Sequence, residues 1–205
     1  MKKCKTILVN HLKQYRKEYK LLSITFILGI IIGVLYIQKK NTNDFSNINS
    51  YIQTLIENIK NSNGINRALL LVECLKNNCI FILIIWFLGC TIIGSFLVYL
   101  ACLYKGFSIG YTITAIILSL GVKNGIIFSL VTMLLQNIVL ICAIFIVANS
   151  GIQLYVNIRK NCVNLKIELL KHTIIMLISL ILSVVASFIE VYISTNFLIF
   201  LKDFF

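Results

Sequence analysis

The sequence predicts an all-α polytopic membrane protein with five transmembrane helices, and three observations support this. The 205 residues are 59% hydrophobic and only 13% charged, which is more apolar than a typical soluble domain. Apolar runs approaching or exceeding the roughly 20 residues that a membrane crossing requires recur along the chain. The run from Cys79 to Tyr104 contains no charged residue and therefore lacks the polar face of a soluble helix.

The apolar runs divide the chain 1–205, which we treat as a single membrane domain, into five predicted spans. A lysine and a glycine, Lys105 and Gly106, interrupt the apolar sequence after Tyr104. We interpret this interruption as a tight turn that joins two antiparallel spans. The predicted spans are 21–37, 79–104, 107–122, 125–158 and 173–193.

The fourth apolar run, 125–158, is longer than one perpendicular crossing requires. A helix of this length extends roughly 50 Å, whereas the hydrocarbon core is about 30 Å thick. The polar pair Gln136–Asn137 interrupts the run near its middle. Two arrangements are therefore open. The run forms one span to about Val147 with a tilted or interfacial continuation, or a re-entrant half-helix ends near Gln136 before a full crossing.

The distribution of lysine and arginine predicts that the N-terminus lies inside and the C-terminus outside. With this orientation the inner segments hold twelve basic residues and the outer segments seven, as the positive-inside rule requires. The segment 1–20 and the loop 159–172 are then cytoplasmic, and the tail 194–205 is extracytoplasmic. The net charge of +12 is explained by these loops and by anionic lipid, so we predict no binding of nucleic acid.

The segment 38–78 becomes an extracytoplasmic loop with amphipathic helices. Apolar residues recur at helical spacing from Ile48 to Ile59, and a second helical stretch runs from Ile65 to Lys76. Two interpretations are open for these helices. They cap the bundle at the membrane interface, or they form a docking surface for an extracytoplasmic partner. The basic segment 1–20 is likewise either an amphipathic helix on the inner membrane face or a solvated tail.

The sequence offers few residues for chemistry. Glu190 is the only acid within a predicted span, and an acid at membrane depth marks a functional or structural polar contact. None of the seven cysteines forms a CxxC pair, and the two histidines have no nearby acid cluster, so we predict neither a metal site nor a cofactor. No triad or phosphate-binding loop is evident, and we predict that the chain is not an enzyme.

Two GxxxG motifs predict close approaches between helices, because small residues let helix backbones come near each other in a membrane. The first motif is Gly29 with Gly33, in the first span. The second is Gly106 with Gly110, where the third predicted span begins. We expect these glycines to pack spans against each other.

Several sequence motifs, taken in order, resemble one family. Asn77–Asn78 precedes FLGCTIIGSFL, which is followed by LYKGFSIGYT, LLQNIVLICAIFIVANSG and FIEVYIS. This order resembles the stage II sporulation protein M family, which consists of integral membrane proteins of endospore-forming bacteria. The resemblance runs from about residue 20 to the end of the chain. The matching positions are Asn77, Asn78, Gly89, Gly94, Lys105, Gly106, Gly110, Gln136, Asn137 and Glu190.

The resemblance implies a role in engulfment of the forespore. Proteins of this family form a membrane complex with stage II sporulation proteins D and P, which degrade peptidoglycan. The resemblance therefore implies a scaffold that holds these partners at the mother-cell engulfing membrane. Its matching residues would pack helices or contact partners. A transporter or permease subunit is the alternative, because interrupted helices line substrate sites. A membrane-embedded hydrolase that uses Glu190 is a further alternative.

Overall fold

The structure is a computed structural model that describes residues 16–39, 50, 54, 67–91, 93–159, 164–194 and 196. Within these residues it contains six α-helices, two π-helical turns and no strand. The α-helices are α1 (Arg16–Gln38), α2 (Arg67–Gly89), α3 (Gly94–Leu120), α4 (Val122–Ser129), α5 (Leu135–Arg159) and α6 (Leu165–Phe188). The π-helical turns are Leu130–Leu134 and Ile189–Ser194.

Five helical stretches are long and apolar enough to cross a membrane, and this confirms the predicted fold class. They are Arg16–Gln38, Arg67–Gly89, Gly94–Leu120, Gln136–Arg159 and Leu165–Ile193. Apart from positions 50 and 54, the amphipathic helix predicted from Ile48 to Ile59 lies outside the described residues, as do the segment 1–15 and most of the tail. The second predicted stretch, Ile65 to Lys76, is helical from Arg67 onward as the start of α2. The orientation across the membrane stays a prediction.

The predicted turn at Lys105–Gly106 is wrong, because both residues lie inside α3. The chain reverses between Gly89, where α2 ends, and Gly94, where α3 begins. There the hydroxyl of Thr91 donates to the Leu88 carbonyl at 2.7 Å, and the Gly94 N–H donates to the Thr91 carbonyl at 2.9 Å. These bonds satisfy backbone groups that a helix end leaves without partners.

The helix continues through Lys105 because the bundle accommodates the ammonium group. The Lys105 Nζ lies 5.5 Å from the centroid of the Phe81 ring on α2, a distance at which a cation is attracted by the ring face. The spans 79–104 and 107–122 are accordingly replaced by Arg67–Gly89 and Gly94–Leu120. Without Lys105 the inner side holds eleven basic residues against seven, so the predicted orientation is unchanged.

Two predicted loops are shorter than expected, because helices extend past the apolar runs. Residues 67–78, assigned to the outer loop 38–78, form the first half of α2. Residues 165–172, assigned to the inner loop 159–172, form the first two turns of α6. In the latter, Glu168 bonds to Lys171 at 2.6 Å and accepts from Asn157 of α5 at 2.9 Å. These contacts stabilise polar helical turns that hydropathy alone assigns to a loop.

The long fourth run follows one helical path with a π-helical turn, and the predicted break at Gln136–Asn137 falls inside α5. The turn at Leu130–Leu134 joins α4 to α5. A π-helical turn changes the backbone hydrogen-bond ladder locally. The Asn137 side chain supplies a hydrogen bond to this turn, because its Nδ2 donates to the Met133 carbonyl at 2.8 Å.

Helix α5 lies at the centre of the bundle and α2 lies at its edge. The most apolar window of α5 is 56% buried, whereas that of α2 is only 11% buried. Ala143, Ile144, Val147 and Ala148 of α5 meet buried residues from each of the other four spans. Small and branched side chains on the central helix therefore let four neighbours approach it. The outer faces of the other spans carry large exposed apolar residues, as lipid contact requires.

Candidate helix-packing and partner-binding site

The most extensive helix interface joins α1 to α3, and the glycines of α1 lie in it. A Cβ placed on Gly29 would collide with the Leu103 carbonyl oxygen, and one on Gly33 would collide with the Phe107 carbonyl oxygen. Both acceptors belong to the backbone of α3. Because backbone atoms cannot rotate away, no larger residue fits at either position without separating the helices.

The glycines of α3 lie in the same interface from the other side. A Cβ on Gly106 would collide with the Phe26 carbonyl oxygen, and one on Gly110 with the Ile30 carbonyl oxygen. The structure thus places the two GxxxG motifs against each other over two turns of each helix. We call this contact of α1 with α3 the glycine seam. It requires α3 to be helical through Gly106, which explains why a turn cannot form there.

A second contact, the polar joint, links the C-terminal end of α2 to α5 and α6. The joint is formed by His172, Ser150, the Trp86 carbonyl and the close pair Gly89 and Gly151. The His172 ring is 1% exposed; its Nδ1 lies 2.9 Å from the Ser150 Oγ, and its Nε2 lies 3.2 Å from the Trp86 carbonyl oxygen. A Cβ on Gly89 would lie 2.8 Å from Nε2 and 3.0 Å from the Gly151 Cα.

The hydrogen bonds of the polar joint set the donor role of one His172 nitrogen. The Trp86 carbonyl only accepts, so Nε2 carries a proton and donates to it. When the ring is neutral, Nδ1 accepts from the Ser150 hydroxyl. The Trp86 carbonyl also accepts from the Cys90 N–H at 3.2 Å, so His172 adds a second hydrogen bond at the C-terminal end of α2. Both side chains are buried, so this Ser–His pair forms a contact between α5 and α6 inside the bundle.

Sequence reasoning missed the polar joint. His172 is the last residue of the predicted loop 159–172, and Ser150 and Gly151 lie within the predicted fourth span without a predicted contact. All three lie within continuous helices, and Asn149 is also buried. The family-like motif ANSG carries the available signal, because a polar, polar, small sequence in an apolar helix marks a buried contact face.

A row of polar residues connects α2 with α6 farther along the bundle. The buried Asn78 donates from Nδ2 to the Ser187 Oγ at 2.9 Å. One residue on, the Cys79 thiol lies 3.7 Å from the Ser183 Oγ. Interhelical hydrogen bonds of this kind hold membrane helices together. The predicted site residue Asn78 therefore packs inside the protein.

Two partly buried charged residues, Lys105 and Glu190, lie near this row. Glu190, in the second π-helical turn, lies beside the Cys74 thiol of α2 and within electrostatic reach of the Lys105 ammonium. In the described residues they do not form a direct ion pair. Opposite charges stabilise each other strongly where water is scarce.

Two further predicted site residues, Gly94 and Gln136, lie outside the contacts described above. Gly94 begins α3, and a Cβ there would collide with the Leu88 carbonyl oxygen, so the tight turn requires a small residue. The Gln136 Oε1 is buried and lacks a hydrogen-bond partner among the described residues. The predicted set is therefore divided among the glycine seam, the polar joint, the interior of α2 and α6, and the turn.

Asn77 differs from its neighbour Asn78, because it points outward from the bundle. Glu73, four residues before Asn77, and Lys76, one residue before it, are exposed as well. Glu73 is three residues from Lys76 and four residues from Asn77. Residues at this spacing share one helix face. We call these three residues the α2 polar face. They lie within a candidate membrane span at the edge of the bundle.

The described residues contain no group of three histidines, cysteines or acids that could hold a metal. The arrangement of the site residues thus serves packing in most places, whereas the α2 polar face presents its polar groups outward from a span.

Comparison with known proteins decides the family. The model of the stage II sporulation protein M family matches residues 22–195. The chain belongs to this family. Neither the curated proteins nor the solved structures include a match. Membership in the stage II sporulation protein M family makes the chain a sporulation-related membrane protein, and this family is not one of known enzymes.

The family match covers nearly all of the described helices. The sequence motifs that resemble the family can therefore be located in the structure. FLGCTIIGSFL forms the turn between α2 and α3, and LYKGFSIGYT forms the α3 side of the glycine seam. ANSG forms the α5 side of the polar joint, and FIEVYIS forms the second π-helical turn. The stage II sporulation protein M motifs in this chain therefore mark places where helices meet or reverse.

Proposed function

We propose that this chain is a non-catalytic membrane scaffold that holds peptidoglycan-degrading partners during engulfment of the forespore. The partners by family resemblance are stage II sporulation proteins D and P, and the location is the mother-cell engulfing membrane. The observation that supports a scaffold is the α2 polar face, since Glu73, Lys76 and Asn77 are exposed on a span.

The physical argument concerns the cost of polar groups in lipid. Ionisable side chains within a span are rare, and they usually face a protein or a water-filled cavity. Among the residues that the structure describes, the α2 polar face meets neither. A transmembrane anchor from a partner, with polar side chains of its own, would satisfy these three residues. The edge position of α2 leaves room for such a helix.

Co-purification in detergent tests the proposal. Each partner is co-expressed with the full chain, and its retention is measured by quantitative immunoblot. The double variant Lys76→Leu/Asn77→Leu should lower retention about tenfold, since interhelical polar contacts in model peptides contribute about 1–2 kcal/mol. The matched control is Lys20→Leu, which removes an exposed lysine from α1.

Three outcomes of this experiment would contradict the proposal. The unchanged chain fails to retain either partner, the double variant retains them fully, or Lys20→Leu is equally harmful. Labelling of single cysteines at Ser50 and Asn161 in intact cells complements the experiment. External labelling of position 50 alone places the segment before α2 on the side where peptidoglycan lies, and the reverse pattern removes the mechanism.

The alternative of a transporter subunit is favoured by one observation, the interior charges of Lys105 and Glu190. Charged residues inside a bundle often line an ion or substrate path. Flux measured in proteoliposomes that contain only this chain tests the alternative. Flux that Lys105→Met abolishes would support transport, and absence of flux supports the scaffold.

A further inference from the structure

A cavity of about 280 Å³ lies between α1, α3 and the α4–α5 segment. Its walls are almost entirely apolar. They include Phe26 and Ile30 of α1, Ile113 and Ile117 of α3, and Met133 of the first π-helical turn. The π-helical turn thus forms part of the wall, and such turns are frequent at functional sites.

The rim of the cavity faces the surroundings of the bundle. Ile126, Leu130 and Ile138 line the cavity and are 43%, 49% and 54% exposed. All three side chains are large and apolar, as is typical of a surface that contacts lipid. The entrance therefore opens toward membrane lipid.

One polar group inside the cavity lacks a partner. Ser129 lines the cavity and is 6% exposed, and its Oγ has no hydrogen-bond partner among the described residues. Leaving a buried hydroxyl without a partner is costly. The other polar residue in the wall, Asn137, already uses its Nδ2 on the Met133 carbonyl. The Ser129 hydroxyl is thus available as a donor to a ligand.

We propose that this cavity binds one acyl chain of a membrane phospholipid, whose ester carbonyl accepts a hydrogen bond from Ser129. The size supports an apolar ligand, since an engineered apolar cavity of about 150 Å³ in another protein stays dry and binds benzene. The observed cavity is larger and opens toward lipid. A phospholipid supplies both the apolar chain and the acceptor at its end.

Photo-crosslinking tests the proposal with the full chain in nanodiscs. The probe is a phosphatidylglycerol that carries a diazirine in its acyl chain, and crosslinked peptides are identified by mass spectrometry. Labels should concentrate on residues 109–117 and 126–141 and persist after transfer to detergent. Labels on the lipid-facing side of α6, at Leu177 and Ile181, should disappear in detergent.

Two variants make the result decisive. Ile113→Trp fills the cavity and should remove the persistent labels, whereas Leu118→Trp, which adds an indole to the exposed face of the same helix, should not. Ser129→Ala should reduce lipid retention in detergent about fivefold, the loss expected for one hydrogen bond. This small change is tolerated even if Ile113→Trp fails to fold.

Other outcomes would overturn the proposal. If every exposed helix is labelled equally, and all of these labels disappear in detergent, the lipid contacts the general surface of the bundle and the cavity is not a specific binding site. Labels unchanged by both Ile113→Trp and Ser129→Ala would place the lipid elsewhere. In a third outcome, the cavity stays unlabelled by lipid when the chain is alone and becomes protected when partner proteins are co-expressed. That result would show that a protein side chain occupies the cavity.

Discussion

The glycine seam and the polar joint hold helices together by different means. In the glycine seam, Gly29 and Gly33 of α1 meet Gly106 and Gly110 of α3, and backbones touch without side chains between them. In the polar joint, His172 connects three helices through hydrogen bonds. Water cannot drive helices together within a bilayer, so close packing and interhelical bonds replace the hydrophobic effect.

The difference teaches where each contact is vulnerable. The glycine seam tolerates no added atom, because the opposing atoms belong to rigid backbone. The polar joint tolerates no loss of its polar atoms, because the Trp86 carbonyl and the Ser150 hydroxyl would lose a bond. Adding volume should therefore damage the former, and removing polarity should damage the latter.

The largest effect is expected for Gly106→Leu, which forces the glycine seam apart. Its cost should reach or exceed the upper end of the ~1–3 kcal/mol typical of overpacking, because the collision is with the Phe26 backbone. Unfolding in mixed micelles measures it. Leu28→Phe adds volume on the exposed face of α1 and should leave stability nearly unchanged.

Gly121→Leu provides a comparison for Gly106→Leu, because the same substitution is made at a glycine outside the glycine seam. Gly121 has a φ of +78° and open space around its Cα, so a larger residue there is strained but collides with nothing. Backbone strain of this kind costs roughly 1–3 kcal/mol and stays local to the turn between α3 and α4. Gly106→Leu should be the more harmful change, and equal effects would contradict the backbone contact in the glycine seam.

A smaller loss is expected for His172→Ala, which removes the hydrogen bond to Ser150 and leaves the Trp86 carbonyl with only its bond from the Cys90 N–H. Leaving buried polar groups unsatisfied costs about 1–3 kcal/mol. His172→Gln, which keeps polar atoms near both positions, should recover part of the stability in the same micelle assay. Identical behaviour of the two variants would show that His172 contributes only volume.

The smallest expected change in stability distinguishes Asn78 from its neighbour Asn77. Asn78→Ala should destabilise the bundle by about 0.6 kcal/mol, the average for interhelical hydrogen bonds in a membrane protein, since it loses its bond to Ser187. Asn77→Ala should leave stability unchanged, because that side chain is exposed. A reversed order would show that α2 is rotated.

Cysteine labelling checks the corrected turn without an effect on stability. In single-cysteine variants Cys90, which follows α2, should react with maleimide, whereas the fully buried Cys102 should not. Burial raises the pKa of the Cys90 thiol. Because the thiolate is the reactive form, its labelling should be slow at neutral pH and accelerate as pH rises. A turn at Lys105 would favour Cys102 instead.

Most of the fold, but only part of the candidate site, could be predicted from the sequence. The apolar runs predicted five spans because hydropathy depends on composition alone. The turn was misplaced because a single lysine in an apolar sequence looks like a boundary. Only the neighbouring Phe81 ring and the nearby Glu190 explain how α3 carries that charge.

The sequence by itself determined that the chain is an all-helical membrane protein, that its glycines occur in pairs at helical spacing, and which family it resembles. Tertiary structure alone decided which glycine pair meets which, why His172 is buried, and why Asn77 and Asn78 point in opposite directions. The physical reason is that spacing along a helix is set by local geometry, whereas contact partners depend on how separate helices pack around α5.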